Sequence, residues 1–317
     1  MDDASSPAGA VGRHGLGPHV VGHRVVVRRL LPGETGPSGG PAMTDLLGTC
    51  LAWADGACVL AVDDRDGGTR TESVPWSLIV SGKPVPPRTS RWARVTPREA
   101  QLRGLSLFPD LETEPAGDWV LRRSATVDAR RAGSALAFGP SGVPDDVERV
   151  VAHYPHPARP MAAVLADSPE EERLAGLGWT VDGDGPDAWF RVAGVAALQR
   201  RLRGLPVPTD VEVVLDEAHP GRWTSVQVAG AARGYAAVDD SPGPGGSWLG
   251  LAGLEVDPSH RRRGLGLALV AALVAWGAEQ GASTAYLQVH ADNAPALALY
   301  DRLGFEHHHT YRYLSPA

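Results

Sequence analysis

A short basic loop containing two glycines is the first stretch whose residue types could do chemistry. It follows an apolar segment that ends at Val256, and it precedes a second apolar segment that begins at Leu265. A strand, a loop and a helix in this order bring unpaired backbone N–H groups and the positive end of a helix dipole to one point. Glycines admit close approach and arginines add charge, which is typical of a pyrophosphate-binding loop. The sequence therefore predicts an anion-binding loop formed by Arg261, Arg262, Arg263, Gly264, Leu265 and Gly266.

The loop could instead be a solvated basic turn before a core helix, because R-x-x-G-x-G alone is a weak motif. The segment from Arg130 to Ala135 fits the same loose pattern with Ala at the last position. Phe138-Gly139-Pro140 follows that copy at once, so no helix can start there. The second copy precedes a helix predicted over residues 264–280, apolar nearly all round and therefore buried. We favour this second copy as the binding loop.

Asn293 and Tyr300 form a second constellation, seven residues apart on the next predicted helix. That spacing is two turns, so both residues lie on one face. Asn293 is also the natural N-cap of the helix, and Tyr300 taken alone could be a core aromatic.

Together these motifs resemble the GNAT superfamily of N-acetyltransferases. The resemblance rests on Val256-Asp257-Pro258, then on Arg261 to Gly266, then on Asn293-Ala294-Pro295-Ala296, Leu299-Tyr300 and Leu303-Gly304-Phe305, and it covers residues 248–314. More loosely, the whole layout resembles actinobacterial acetyltransferases with an N-terminal SH3-like barrel and a degenerate first GNAT lobe.

The resemblance implies that acetyl-CoA is the cosubstrate and that no metal is needed. Its pyrophosphate would lie on Arg261 to Gly266 and its pantetheine against the strand ending at Val256, held also by Asn293. Backbone N–H groups near Leu254 to Val256 would polarise the thioester, and Tyr300, with an ordinary pKa near 10, would protonate the departing thiolate. The acceptor would be a primary amine of a small molecule, a protein lysine or a protein N-terminus. Two general bases remain open: a bound water, or Glu255, which strand alternation predicts on the opposite face.

The implied fold class is α+β or α/β. Residues 210–317 would form the catalytic GNAT domain, a mixed and mostly antiparallel twisted sheet with flanking helices. Residues 92–205 would form the degenerate lobe, and residues 19–87 a small closed SH3-like barrel with strands over 24–31, 45–53, 57–62 and 73–80. Residues 1–18 are predicted to be a disordered leader. A faint repeat links Asp167-Ser168-Pro169 with Asn293-Ala294-Pro295, and Leu174 stands where the second copy has Tyr300.

One departure from the family pattern is visible. Two helices usually follow the first strand and build the acceptor pocket, but only residues 216–223 separate the strands here. The acceptor wall must then come from elsewhere, such as the first lobe. Alternatively, catalysis is lost and the chain is a CoA-binding or scaffold module whose barrel binds a peptide or protein.

Composition narrows the partners further. The net charge is −7 and the pI about 5.9, which argues against nucleic acid or a membrane surface as the main partner. Cys50 and Cys58 are the two cysteines, too few for a disulfide framework or a zinc site, so we expect a cytoplasmic protein. The start of the chain is unlike a signal peptide, and the apolar run 265–275 is too short to span a bilayer. His307-His308-His309 offers two side chains on one face of a strand, which is not enough for a metal site.

Overall fold

The computed structural model describes residues 15–37, 39–63, 69–86, 90, 92–154, 159–183 and 185–317. The chain divides into two compact units, Met1–Ser90 and Arg91–Ala317. No helix in the described ranges is both long and apolar enough to cross a membrane.

The first unit is a five-stranded antiparallel sheet. Its strands are β1 Arg24–Thr35, β2 Pro41–Ala54, β3 Ala57–Asp63, β4 Thr69–Pro75 and β5 Ile79–Pro84. Their order is β4-β3-β2-β1-β5. Asp55 and Gly56 both have positive φ, 52° and 78°, as a tight hairpin between β2 and β3 requires.

Two expectations for this unit need correction. The closed barrel is not found, because the end strands β4 and β5 do not pair with each other in the part of the sheet that the structure describes. The single strand predicted over residues 73–80 is wrong, since a 3₁₀ turn at Trp76–Leu78 separates β4 from β5. The predicted leader lies outside the described residues up to residue 14, and Leu16 is fully buried in the core of the sheet unit.

The second unit is built on a 12-stranded mixed sheet. Its strands are β6 Glu112–Ala116, β7 Trp119–Arg123, β8 Ala135–Leu136, β9 Ala162–Leu165, β10 Trp179–Val181, β11 Ala188–Gly194, β12 Val213–His219, β13 Trp223–Val228, β14 Ala232–Asp239, β15 Trp248–Val256, β16 Thr284–His290 and β17 Glu306–Pro316. Its helices are α1 Pro97–Arg103, α2 Asp146–His153, α3 Pro169–Gly176, α4 Val195–Arg203, α5 Leu265–Glu279 and α6 Ala294–Leu303. The pairs β8/β9 and β15/β16 are parallel and the other pairs are antiparallel. A mixed, mostly antiparallel GNAT-like sheet with flanking helices is thus confirmed.

We call residues 92–205 the first half of this unit and residues 206–317 the second half. Each half contributes one strand to the part of the sheet that the other half forms. The order is β12-β13-β14-β15-β16-β11-β17-β9-β8-β7-β6, and β10 also pairs with β17. Strand β11 therefore lies between β16 and β17, while β17 lies between β11 and β9. Each half is completed by the last strand of the other, so the two halves share one sheet.

Helix α5 covers one face of the sheet. Its side chains pack with those of β13, β14 and β15 in the largest apolar core, which includes Leu249, Leu251 and Leu287. The opposite face carries Tyr235, Trp248 and Tyr286 and is covered by first-half residues such as Leu107 and Phe108. Strands β12 and β13 form a direct hairpin, His219 pairing with Trp223, so no helices intervene between them.

Candidate active site

The candidate site begins where two parallel strands diverge. Strands β15 and β16 pair from Trp248 and Thr284 to Leu251 and Leu287, and the pairing ends there. Beyond that point β15 stays paired with β14 and β16 with β11. A gap therefore opens between the strand ends, with unpaired backbone edges on both sides.

A β-bulge at Gly253 bends strand β15 at the start of this gap. The register with β14 shifts between the pairs Arg233–Glu255 and Tyr235–Ala252. Gly253 has φ +60°, and a Cβ there would lie 2.6 Å from Cε1 of Tyr235. Glycine is therefore required for both conformation and space. Gly253 was not predicted as a site residue, although a glycine inside a strand is itself a signal for a bulge.

The loop after β15 leads directly into helix α5. Asp257 caps a 3₁₀ turn by accepting hydrogen bonds from the hydroxyl and amide of Ser259, and these bonds lower the pKa of its carboxyl. Gly264 is the N-cap of α5 with φ +79°, and a Cβ there would lie 2.8 Å from Pro208. The amides of Leu267 and Ala268 both donate to the carbonyl of Gly264. The backbone amides of Gly264, Leu265 and Gly266 come before these donors. They can bind an anion, because the first amides of a helix have no partner within the helix.

A cavity of about 1350 Å³ joins the gap, the loop and helix α6. Among the residues that line it are the predicted contacts Leu254, Val256, Arg261, Arg262, Gly264, Leu265, Gly266, Asn293 and Tyr300. Arg263 is exposed and is not a lining residue. Amide donors, exposed guanidinium groups and an apolar channel fit a ligand with a pyrophosphate and a long uncharged arm.

Asn293 and Tyr300 both face this cavity from helix α6. The side-chain oxygen of Asn293 accepts from the amide of Ala296 at 3.2 Å, so it is the N-cap of α6. Tyr300 is buried and its ring meets that of Phe305 edge-on, with 5.7 Å between centroids. Burial raises the pKa of Tyr300 to about 12, so the hydroxyl carries its proton at neutral pH.

Glu255 is among the residues that line the cavity, between Leu254 and Val256. Leu254 and Val256 pack against the apolar core below α5, and the exposed Glu255 is not part of that core. Its carboxylate is held by Arg233, with Arg233 Nη2 donating at 2.6 Å, and both side chains are exposed.

The histidine run at the start of β17 contains a bulge. Phe190 pairs with His309 and Arg191 with His307, which leaves His308 unmatched. His309 is buried against the ring of Phe190, and burial lowers the pKa of His309 to about 2. Within the described residues no three His, Cys, Asp or Glu side chains are grouped to hold a metal.

Comparison with known proteins agrees with this geometry. Residues 104–314, more than half of the chain, match a family described as "Probable histone acetyltransferase Rv0428c C-terminal". A probable histone acetyltransferase of Mycobacterium tuberculosis (strain ATCC 25618 / H37Rv) is 34% identical over 129 residues, covering 40% of this chain and 37% of that protein. A ribosomal protein bS18-alanine N-acetyltransferase of Escherichia coli (strain K12) is 46% identical over 55 residues, 17% of this chain and 37% of that enzyme. The chain thus spans well under half the length of these two relatives.

A mycothiol acetyltransferase of Salinispora tropica (strain ATCC BAA-916 / DSM 44818 / JCM 13857 / NBRC 105044 / CNB-440) is 30% identical over 152 residues, covering 46% of this chain and 49% of that protein. Among solved structures, a GCN5-related N-acetyltransferase from Kribbella flavida aligns with a TM-score of 0.49 at 20% identity, over 69% of this chain and 93% of that one.

The diverging strands, the basic loop and helix α6 define a domain of the GNAT N-acetyltransferase class. Within that class, the chain belongs to the family described as "Probable histone acetyltransferase Rv0428c C-terminal".

Proposed function

We infer that the chain transfers the acetyl group of acetyl-CoA directly to a primary amine. The observation that carries this proposal is the cavity at which the first turn of α5, the bulged end of β15 and the hydroxyl-bearing Tyr300 meet. No covalent enzyme intermediate is needed, because these groups can stabilise a direct attack.

Different residues of the chain would bind the pyrophosphate, the pantetheine arm and the developing oxyanion. The free amides at Gly264 to Gly266, with Arg261 and Arg262, bind the pyrophosphate, and Asn293 holds the pantetheine arm. Amides of the bulged segment from Leu254 to Val256 donate to the developing oxyanion.

The reaction then balances in two proton steps. The amine nitrogen bonds to the thioester carbon, the carbon–sulfur bond breaks, and the Tyr300 hydroxyl gives its proton to the CoA sulfur. A proton from the amine passes to water or to Glu255, and Tyr300 recovers a proton from solvent.

The acceptor is a small-molecule amine or an amine of a protein. Relatives carry the names "probable histone acetyltransferase", "bS18-alanine N-acetyltransferase" and "mycothiol acetyltransferase", so their names do not favour one source of acceptor. First-half residues close the face that two helices would cover in the usual family pattern, since Trp223 Nε1 donates to the carbonyl of Leu107 at 3.3 Å. This contact supports an acceptor wall supplied by the first half.

The first half would then be a degenerate lobe that binds no CoA. The parallel strand pair β8/β9 in the first half corresponds to the pair β15/β16 in the second half. Leu174 on α3 is buried and stands at the sequence position that corresponds to Tyr300 on α6. A leucine offers no proton to a thiolate.

A non-catalytic CoA-binding scaffold is the second candidate, favoured by the direct β12–β13 hairpin that leaves no acceptor helices. In that case the first unit would act as an SH3-like module for a peptide or protein. The stacked rings of Trp53 and Trp76, 5.5 Å apart, with Trp76 exposed, support such a surface.

Acetyl-CoA turnover against a broad panel of amines and peptides, read as CoA release, tests the proposal. We expect turnover of at least one acceptor, and its loss in the Tyr300→Phe variant. Saturable acetyl-CoA binding with no CoA release above hydrolysis, for every acceptor tried, would establish the scaffold instead.

A further inference from the structure

Two side chains flank the gap between β15 and β16 on the sheet face opposite α5, and we call this side of the gap the second mouth. Tyr235 borders it from β14, because its ring lies against Gly253 at the bulge. Gln288 borders it from β16, one residue past the last pair at Leu287 and on the same face as Tyr286. An acceptor amine that reaches the bulge from this face would pass between these two side chains.

Residues of the first half cover the second mouth. Val127 and Leu111 pack into the apolar cluster that contains Tyr286 and Tyr235. Arg131 extends from the same segment as Val127, and its Nη1 donates to the backbone carbonyl of Gln288 at 3.4 Å. The guanidinium of Arg131 is thereby placed at the border of the mouth.

Arg131 has no acidic partner within the described residues, unlike several other arginines of this unit. Arg103 is paired with Asp239, Arg191 with Asp301, and Arg312 with Asp187. Arg131 instead lies among phenol hydroxyls. Burial lowers the pKa of Arg131, but Tyr311, Tyr313 and Tyr235 raise it by more, so the group stays charged.

The guanidinium of Arg131 also has more N–H donors than its protein partners use. A guanidinium has five N–H donors, and Gln288 and Tyr311 take only part of them. Arg131 is half-buried, and in the described part of the chain none of its guanidinium nitrogens is both buried and unpartnered, so the remaining donors can reach solvent. Arg122, also without an acidic partner, is satisfied by the carbonyl and hydroxyl of Ser134 and is only 3% exposed. A charged, fork-shaped donor with free capacity at a recess is suited to a carboxylate.

We propose that Arg131, Tyr235 and Gln288 form an acceptor subsite that binds a carboxylate, so the acceptor is an amine that also carries a carboxylate near the reacting nitrogen. The subsite rests on the proposed acetyl transfer and deepens it by naming the acceptor class. The positive charge also favours the neutral, attacking form of the amine, since a nearby cation lowers the pKa of an ammonium group.

Such an acceptor can be a free amino acid or a peptide whose first residue is acidic. The test uses matched pairs in both arms: ω-amino acids of increasing length against their amides, and peptides beginning with Asp or Glu against the same peptides beginning with Asn or Gln. CoA release gives kcat/KM for each. We expect the carboxylate member to be preferred by about 10- to 100-fold, the range of a hydrogen bond to a charged group. The arm that shows the preference identifies the source.

The Arg131→Gln variant should bring that ratio close to 1, and Arg131→Lys should keep part of it. Arg130→Gln is the matched control, because Arg130 is the adjacent arginine but is paired with Asp182 and stacked over Tyr313. The control should keep the wild-type ratio.

Turnover of neutral and anionic amines with equal kcat/KM would overturn the subsite while leaving the acetyltransferase proposal intact. If acetyl-CoA binds but no amine is turned over, the proposed function fails, and calorimetry of the same amines in the presence of CoA decides the subsite. Carboxylate binding that is lost in Arg131→Gln supports it, and no carboxylate binding overturns it.

Discussion

The guanidinium of Arg191 in β11 donates to the carboxylate of Asp301, the residue that follows Tyr300 in helix α6. The same nitrogen donates to the carbonyl of Phe305, whose amide in turn donates to the carbonyl of Tyr300 at 2.9 Å. Arg191 is buried, and two of its nitrogens, Nε and Nη1, have no hydrogen-bond partner among the residues that the structure describes. A strand from the first half therefore holds the end of the helix that carries the proposed acid.

Replacing Arg191 with Met should lower kcat about 10- to 100-fold, because a small displacement of Tyr300 is costly for a positioned proton donor. Acetyl-CoA affinity should change little, since the pyrophosphate loop is on another element. Steady-state kinetics and calorimetry measure both. Arg173→Met is the control, because Arg173 lies on α3, a helix without predicted site residues, and the change breaks its ion pair with Asp146. If Arg191 acts through Tyr300, adding Arg191→Met to Tyr300→Phe should cause little further loss, whereas fully additive losses would contradict the positioning role.

Tyr300→Phe removes one hydroxyl and keeps the ring. The free energy of unfolding should change by about 1.5 kcal/mol or less. If Tyr300 is the acid, kcat should fall about 10²- to 10⁴-fold while acetyl-CoA affinity holds, because the proton is needed only as the thiolate departs. Equal turnover in the variant and the wild type would reduce Tyr300 to a core aromatic.

The alkaline limb of the wild-type kcat profile provides an independent check on Tyr300. Burial raises its pKa from 10 to about 12, so the folded state keeps the proton longer than the unfolded chain does. The stability that this preference contributes is complete below pH 10 and is lost as the pH rises towards 12. We therefore expect no loss of kcat from Tyr300 ionisation between pH 7 and 10. A limb in that range that disappears in Tyr300→Phe would refute a raised pKa.

Charge-reversal variants in the loop should distinguish arginines that contact acetyl-CoA from arginines that do not. Arg261→Glu should weaken acetyl-CoA binding at least tenfold, because Arg261 lines the cavity, whereas Arg263→Glu, with the same change in charge outside the lining, should do little. Calorimetry on both variants measures the difference. Equal losses would indicate a general field effect instead of a contact.

Gly264→Glu should abolish acetyl-CoA binding, because charge and bulk enter the pyrophosphate loop. The positive φ of Gly264 and its closeness to Pro208 also make the variant less stable, so circular dichroism must show a folded protein first. Unchanged affinity in a folded variant would disprove the loop assignment.

Removal of residues 1–90 should leave acetyl-CoA affinity nearly unchanged. The chain divides after Ser90, and every residue that lines the cavity lies between Pro206 and Arg302. Calorimetry on the fragment from residue 91 checks this. A large loss of affinity in a folded fragment would mean that the first unit contributes to the site.

Local sequence patterns were enough to select residues that the structure brings together around one cavity. A strand, a glycine-bearing loop, an apolar helix and a capped second helix are encoded by neighbouring residues, and they bring Gly264, Asn293 and Tyr300 to one cavity. Strand β11 escaped prediction because Arg191 interrupts its apolar run, and its burial depends on partners far along the chain. The bulge at Gly253 was not predicted, because it depends on how β15 pairs with β14 and not on neighbouring residues alone.

The exchanged strands also constrain how the protein can be made. Arg191 meets the carbonyl of Phe305, 114 residues further along the chain. At ribosomal rates of about 5–20 residues per second, the emerging β11 waits roughly 6 to 23 seconds for that partner to be synthesised. During this interval the nascent chain exposes an unpaired, apolar strand on which other chains can add. Synthesis of the last strand, β17, is therefore the step that ends the period of aggregation risk, and a message truncated before residue 306 would yield a product that cannot close its sheet.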